Sequence, residues 1–111
     1  MTKVFYDELV GIEEIFVEIE RVELNHKNKQ KVKKVIDEII HYRMVTFILD
    51  HLPRVHHKTF LIRFQAAPHE KEHLVFLEKK LSKAFIQDLE KHAQELKKEI
   101  QQEFKKYKYT K

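Results

Sequence analysis

The fold is decided by the stretch KVKKVIDEIIHYRMVTFILDHL, which runs from Lys31 to Leu52. Its first half carries apolar residues at the spacing of one helical face, and its second half is apolar almost all the way round. A helix with one apolar stripe lies on a core, whereas a helix that is apolar on every side is enclosed by its neighbours. We therefore predict a central helix at about 31–52 whose second half is buried.

The composition predicts helices in the rest of the chain as well. Among 111 residues there are one Gly and two Pro, and 36% of the residues are charged. Gly and Pro are the residues that most often interrupt helices, so their scarcity favours long ones. The length suits one domain, and the absence of Cys excludes disulfides and thiolate metal sites. We predict a single helical domain at 1–111, an all-α compact bundle of four to six helices around the buried central helix.

Local signals place the other helices. Gly11 suits the left-handed position that ends a short first helix. Residues 12–22 repeat apolar side chains with helical periodicity, although their β-branched content would also suit a strand. Pro53 and Pro68 each suit the first turn of a further helix. Ser82 can cap the start of the last helix.

The last helix is predicted at about 83–107 from a single apolar seam. The spacing of its apolar residues repeats as four, four and three, which keeps them on one narrow face. A face that narrow packs against one neighbour or against a second copy, as in a coiled coil. We predict that this seam forms a protein interface through Phe85, Leu89, Leu96, Ile100 and Phe104. The basic C-terminal tail at about 105–111 is expected to fray.

Charge is unevenly distributed along the chain. Residues 1–24 carry seven acids and two bases, whereas residues 25–111 carry 20 bases and 11 acids. This pattern is typical of a nucleic-acid binder, but it also arises when an acidic segment packs on a basic body, its own or that of a second copy. Packing is the favoured interpretation because the acidic segment is amphipathic.

A lysine cluster gives the alternative function. Five lysines that no acid interrupts can contact a nucleic-acid backbone without sequence preference. These candidate nucleic-acid-binding residues are Lys27, Lys29, Lys31, Lys33 and Lys34. The acidic N-terminal segment can instead neutralise them, and the sequence leaves both alternatives open.

The segment from His69 to His73 matches the pattern H-E-x-x-H, in which two His on one helix face bind zinc and the Glu activates water. Metal candidates are therefore His69 and His73, with His92, Glu90 or Glu95 as a third ligand, and the catalytic candidate is Glu70. The favoured interpretation is a solvated first helical turn, where acidic side chains stabilise the helix N-terminus. No cofactor is predicted.

Three segments carry a resemblance to a known family. They are residues 8–14 (ELVGIEE), Arg43 followed by residues 48–53 (ILDHLP), and residues 76–80 (FLEKK). In this order the chain, from about residue 5 to 105, resembles a family of short, uncharacterised, all-helical bacterial proteins common in candidate-phylum genomes. The lysine-rich stretch at 25–34 and the many His depart from that family. The resemblance implies a helical fold and no activity.

The sequence favours a cytoplasmic protein that is not an enzyme. No apolar run approaches the roughly 18 residues needed to span a bilayer, and the acids near the start are unlike a signal peptide. We predict a small helical protein that binds another protein or a second copy and has no membrane partner. A nucleic-acid-associated protein and a metal-dependent hydrolase are the alternatives.

Overall fold

The computed structural model describes residues 4–22 and 24–109, and the side chains of 4–22 and 24–103. In these ranges the chain forms helices and no strand. The elements in chain order are α1 (Asp7–Val10), α2 (Ile12–Glu20), α3 (His26–His51), a 3₁₀ turn (Arg54–His56), α4 (His57–Ala66), α5 (Glu72–Lys80) and α6 (Lys83–Tyr109). The predicted all-α bundle of four to six helices is confirmed, and the strand alternative at the second element is wrong.

The long helix α6 organises the bundle. It packs against α1, α2, α3 and α5, while α4 packs on α5. Ser82 caps its start as predicted, because the Ser82 hydroxyl accepts a hydrogen bond from the Phe85 amide at 3.1 Å. The helix continues to Tyr109, and Thr110 and Lys111 at the end of the tail lie outside the described residues.

The apolar seam of α6 is part of the core of this chain. Four of the five predicted interface residues are buried: Phe85, Leu89, Leu96 and Ile100 are 5%, 0%, 1% and 8% exposed. The side chain of Phe104 lies outside the described residues. The narrow seam correctly predicted which face of α6 packs against other helices, but these helices belong to the same chain. The assignment of these four residues to an intermolecular interface is therefore corrected.

The central helix α3 starts earlier than predicted. Its N-cap is Asn25, whose side-chain oxygen accepts a hydrogen bond from the Asn28 amide at 2.8 Å. An Asn at this position satisfies one of the backbone amides that a helix start leaves without a partner. The lysines of the cluster therefore lie on the first turns of a regular helix, which fixes the direction of each one.

The buried face of α3 is narrower than its composition suggests. Its buried residues form one stripe: Ile36, Ile40, Met44 and Ile48. On its other side Val35, Ile39 and Tyr42 are 52%, 42% and 68% exposed. The bundle covers one side of α3 and leaves apolar side chains around the middle of the helix open to solvent.

The N-terminal segment closes the bundle against α4 and α5. The Phe5 amide donates to the Pro68 carbonyl at 2.8 Å, and the Phe5 ring packs edge-on against the rings of Phe60 and Phe64. Gly11 then joins α1 to α2 with φ 72° and ψ 45°, the left-handed conformation predicted for it. This turn lays the acidic α2 alongside α6.

Candidate functional site

An apolar groove lies where the end of α2, the first half of α3 and the last part of α6 meet. Its volume is about 530 Å³, which is within the range of about 300–1,000 Å³ typical of ligand sites. Its lining is mainly aliphatic: Ile19, Val22, Leu24, Val32, Val35, Ile36, Ile39 and Ile100. Since Val35 and Ile39 remain about half exposed, the groove is open along α3 and forms an unfilled apolar surface.

Polar groups stand only at the edges of this groove. Asn28 and Lys31 lie on the α3 edge, and Glu103 lies on the α6 edge. A lining of aliphatic side chains with a few polar groups at the rim is typical of binding sites. A lining of this kind is suited to binding an apolar surface.

The acidic segment neutralises part of the lysine cluster. Lys33 donates to the Glu20 carboxylate at 2.5 Å, and Lys29 donates to the Glu20 backbone carbonyl at 2.8 Å. The hydrogen bond and the charge of Lys33 hold the pKa of the Glu20 carboxyl below its usual value. These two lysines attach the end of α2 to α3 and so fix the wall of the groove.

The remaining three lysines of the cluster point elsewhere. Lys27, Lys31 and Lys34 are exposed, and among the described residues no carboxylate forms an ion pair with them. The five lysines therefore do not form one surface: two face the acidic segment and three face solvent beside the groove. The structure brings the predicted nucleic-acid site together only in part.

The acidic segment is also attached to α6. Lys97 forms an ion pair with Glu14, and the Gln101 amide donates to the Glu18 carboxylate at 2.8 Å. The Gln94 side chain donates to the Leu9 carbonyl at 2.7 Å. The acidic segment packs on the basic body of its own chain, which was the favoured interpretation of the uneven charge.

The H-E-x-x-H segment does not form a metal site. Helix α5 begins at Glu72 and not at Pro68, so His69 and Glu70 lie in the preceding turn. The prediction that both imidazoles lie on one helix face is therefore wrong. Among the described side chains, no three His, Asp or Glu groups lie close enough together to hold a metal ion.

The two histidines of that segment have different surroundings. His73 is 5% exposed, and its Nε2 donates to the Ala67 carbonyl at 2.6 Å. The side chain of His69 is 62% exposed, and its only described ion-pair neighbour is Glu70 at 3.6 Å. His73 is a structural residue that satisfies a carbonyl at the end of α4, because the last carbonyls of a helix have no intrahelical donor.

The third metal candidate, His92, packs against α3. Its ring stacks on Phe47 with a centroid distance of 4.3 Å, and its Nε2 is buried without a hydrogen-bond partner among the described residues. Burial, together with the nearby Arg43 guanidinium, lowers the pKa of His92. It is held as a neutral aromatic ring and not as a ligand.

Sequence reasoning missed the aliphatic residues that line the groove. Val35, Ile39 and Val22 fit helical periodicity, so they were indistinguishable from core residues. A signal was nevertheless present, because the central helix carries more apolar faces than a small bundle can cover. An apolar surplus on one helix indicates a surface that another molecule covers.

None of the described helices is long and apolar enough to cross a membrane. Comparison of the chain with models of protein families, with curated proteins and with solved structures found no match. The resemblance to the uncharacterised bacterial family therefore stays a prediction from the sequence, as does the cytoplasmic location.

Proposed function

We propose that this protein is a non-enzymatic binding module that docks a helix of a partner protein in the groove between α2, α3 and α6. The observation that carries the proposal is the open aliphatic groove of about 530 Å³. Helix-in-groove recognition uses such a surface, into which an amphipathic helix lays its apolar face.

The shape of the groove favours a helix over a small enclosed ligand. Along α3 the apolar surface extends from Val32 through Val35 and Ile39 to the exposed Tyr42. At 1.5 Å per residue this row is about 15 Å long, which corresponds to nearly three turns of a partner helix. Small-molecule sites bury most of their ligand's surface in a concave pocket, and the half-exposed Val35 does not enclose a ligand in that way.

The test uses a designed helical peptide with a Leu face and neutral Gln edges, and measures its binding by fluorescence anisotropy. We expect saturable binding to the unchanged protein. The double variant Val35→Ser with Ile39→Ser should weaken it by at least about tenfold, since each residue loses buried apolar contact. Both residues are about half exposed, so the fold should tolerate the changes.

A matched control changes two aliphatic residues on a different face. Ile62 on α4 and Val75 on α5 are 56% and 51% exposed, so Ile62→Ser with Val75→Ser removes a similar apolar area. This variant should bind the peptide as the unchanged protein does. An equal loss of peptide affinity in both double variants contradicts the proposal. A lack of saturable binding to the unchanged protein contradicts it too.

Sedimentation velocity separates a partner helix from a second copy as the occupant. We expect a monomer at the concentrations used for binding. A dimer that dissociates in the Val35→Ser and Ile39→Ser variant would show that the groove is covered by another copy, and this would overturn the assignment to a different partner protein.

A further inference from the structure

We propose that the helix docked in the groove carries a row of carboxylates along the edge that faces α3, where Lys27, Lys31 and Lys34 lie beside the aliphatic lining. This inference rests on the proposed function and adds the chemistry of the partner. It follows from the direction of the lysines on α3 and from the aliphatic groove beside them.

Helical spacing places the three lysines on one face. Lys27 and Lys31 are four residues apart, and Lys31 and Lys34 are three apart, so they are neighbours along one side of α3. Lys31 itself lines the groove. The row therefore runs along the α3 edge, next to Val32 and Val35.

The two other lysines of the cluster show why this row is distinct. Lys29 and Lys33 turn toward α2, where Glu20 accepts from both. Their side chains are only 18% and 19% exposed. Their positive charge is used within the fold, whereas Lys27, Lys31 and Lys34 are exposed. Only the exposed row can attract a charged partner.

The lysine row sets where the carboxylates of the partner must lie. A docked helix meets these lysines along the α3 edge of the groove, which Lys31 lines. Complementary charge at an interface fixes orientation and suppresses wrong partners. The occupant that fits is an amphipathic helix with Glu or Asp at positions i, i+3 or i+4, and i+7 on the edge that faces α3.

Nucleic acid is the competing ligand of the same lysines. A nucleic-acid backbone offers a line of phosphates and no aliphatic face, so it would leave the groove between the helices uncovered. The position of the lysine row beside an apolar surface therefore favours an acidic amphipathic helix. A nucleic-acid duplex enters the experiment as a separate probe.

The experiment compares three designed peptides that share one Leu face and differ only at one edge, which carries Glu, Gln or Lys. We expect the Glu peptide to bind about tenfold more tightly than the Gln peptide at 50 mM salt, since several exposed ion pairs act together. The difference should shrink at 500 mM salt, because such pairs are screened. The Lys peptide should bind most weakly.

Two triple variants separate the row from the overall charge of the protein. Replacing Lys27, Lys31 and Lys34 by Gln should abolish the preference, so that this variant binds the Glu peptide and the Gln peptide with equal affinity. The matched control replaces the exposed Lys83, Lys91 and Lys98 of α6 by Gln. It removes the same charge and should keep the preference.

The outcomes distinguish this inference from the proposed function. Equal affinity for the Glu and Gln peptides overturns the inference and leaves the groove as a docking site. No binding of any peptide overturns the proposed function. Tighter binding of a 20-base-pair DNA duplex, lost with Lys27, Lys31 and Lys34, overturns the inference in favour of nucleic acid.

Discussion

The hydroxyl of Tyr6 lies 2.8 Å from Nδ1 of His41 on α3 and forms a hydrogen bond with it. Tyr6 is only 1% exposed. The contact joins residues 35 positions apart in the sequence. Burial raises the pKa of the Tyr6 hydroxyl well above its usual value, and the carboxylates of Asp7 and Asp37 raise it further. The side chain therefore remains a neutral phenol in the folded protein.

Tyr6→Phe should lower the free energy of unfolding at pH 7 by about 0.5–1.5 kcal/mol, the usual range for one hydrogen bond. In the unchanged protein Tyr6 has a higher pKa in the folded state than in the unfolded state. Its contribution is therefore fully present below about pH 10, the unfolded pKa, and is lost as the pH rises above that value. Urea unfolding at pH 8 to 11 measures both effects. A variant that loses stability above pH 10 as steeply as the unchanged protein would contradict this assignment.

His92 should make the protein less stable in mild acid. Its pKa is lowered in the folded state by burial and by Arg43, so the unfolded chain binds the proton more readily. Stability is therefore fully present above about pH 6.5, the unfolded pKa, and declines as the pH falls below it. His92→Phe keeps a ring against Phe47. In this variant, stability should decline less steeply between pH 7 and pH 5. Thermal melts across this range provide the measurement, and an unchanged slope would show that other groups cause it.

Leu96→Ala should destabilise the fold and leave the oligomeric state unchanged. Leu96 is 1% exposed within the bundle, and truncating a buried Leu costs about 2–5 kcal/mol. The exposed Lys98 on the same helix is the control, because Lys98→Ala should change stability by less than about 0.5 kcal/mol. Urea unfolding and sedimentation velocity test the pair. An oligomer that dissociates without loss of stability would restore the seam as an intermolecular interface.

Gly11→Ala should lower the free energy of unfolding by about 1–2 kcal/mol, since an L side chain is strained in the left-handed conformation. A Cβ at Gly11 would also lie 3.0 Å from Nζ of Lys97, but that flexible end can move aside. The cost should therefore persist when Lys97→Ala is added, and Gly11→Asn should cost less because Asn tolerates this conformation better. Rescue of stability by Lys97→Ala would instead identify crowding as the cause.

His73→Leu should lower the free energy of unfolding by about 1–3 kcal/mol, because it leaves the Ala67 carbonyl without its hydrogen-bond donor. His69→Ala should leave the stability almost unchanged, since the His69 side chain is 62% exposed. A shared metal site would instead make both changes reduce zinc affinity. Isothermal titration with zinc, beside thermal melts of each variant, distinguishes the two cases.

Much of the fold could be predicted from the sequence because helical periodicity and capping residues are local signals. Gly11 and Ser82 marked real helix boundaries, and the spacing of the α6 seam showed which face is buried. Pro68 was misleading, because the chain makes a turn after it and α5 begins only at Glu72. A Pro suits a helix start but does not require one.

The candidate site was less accessible to sequence reasoning because it depends on which apolar faces remain uncovered. Leu96 and Val35 are equally apolar and equally periodic, yet one is buried and the other is 52% exposed. The difference arises from the number of helices that surround each position. The direction of Lys27 relative to Lys29 likewise depended on where α3 begins, and Asn25 sets that point through its cap.

The helix that completes the core is also the last of the described helices in chain order. Because α6 packs on α1, α2, α3 and α5, a nascent chain that ends before Lys83 exposes the apolar faces that α6 later covers. Single domains fold as units, so the earlier helices can complete their packing only after α6 has been synthesised. Until then, the exposed apolar faces favour aggregation.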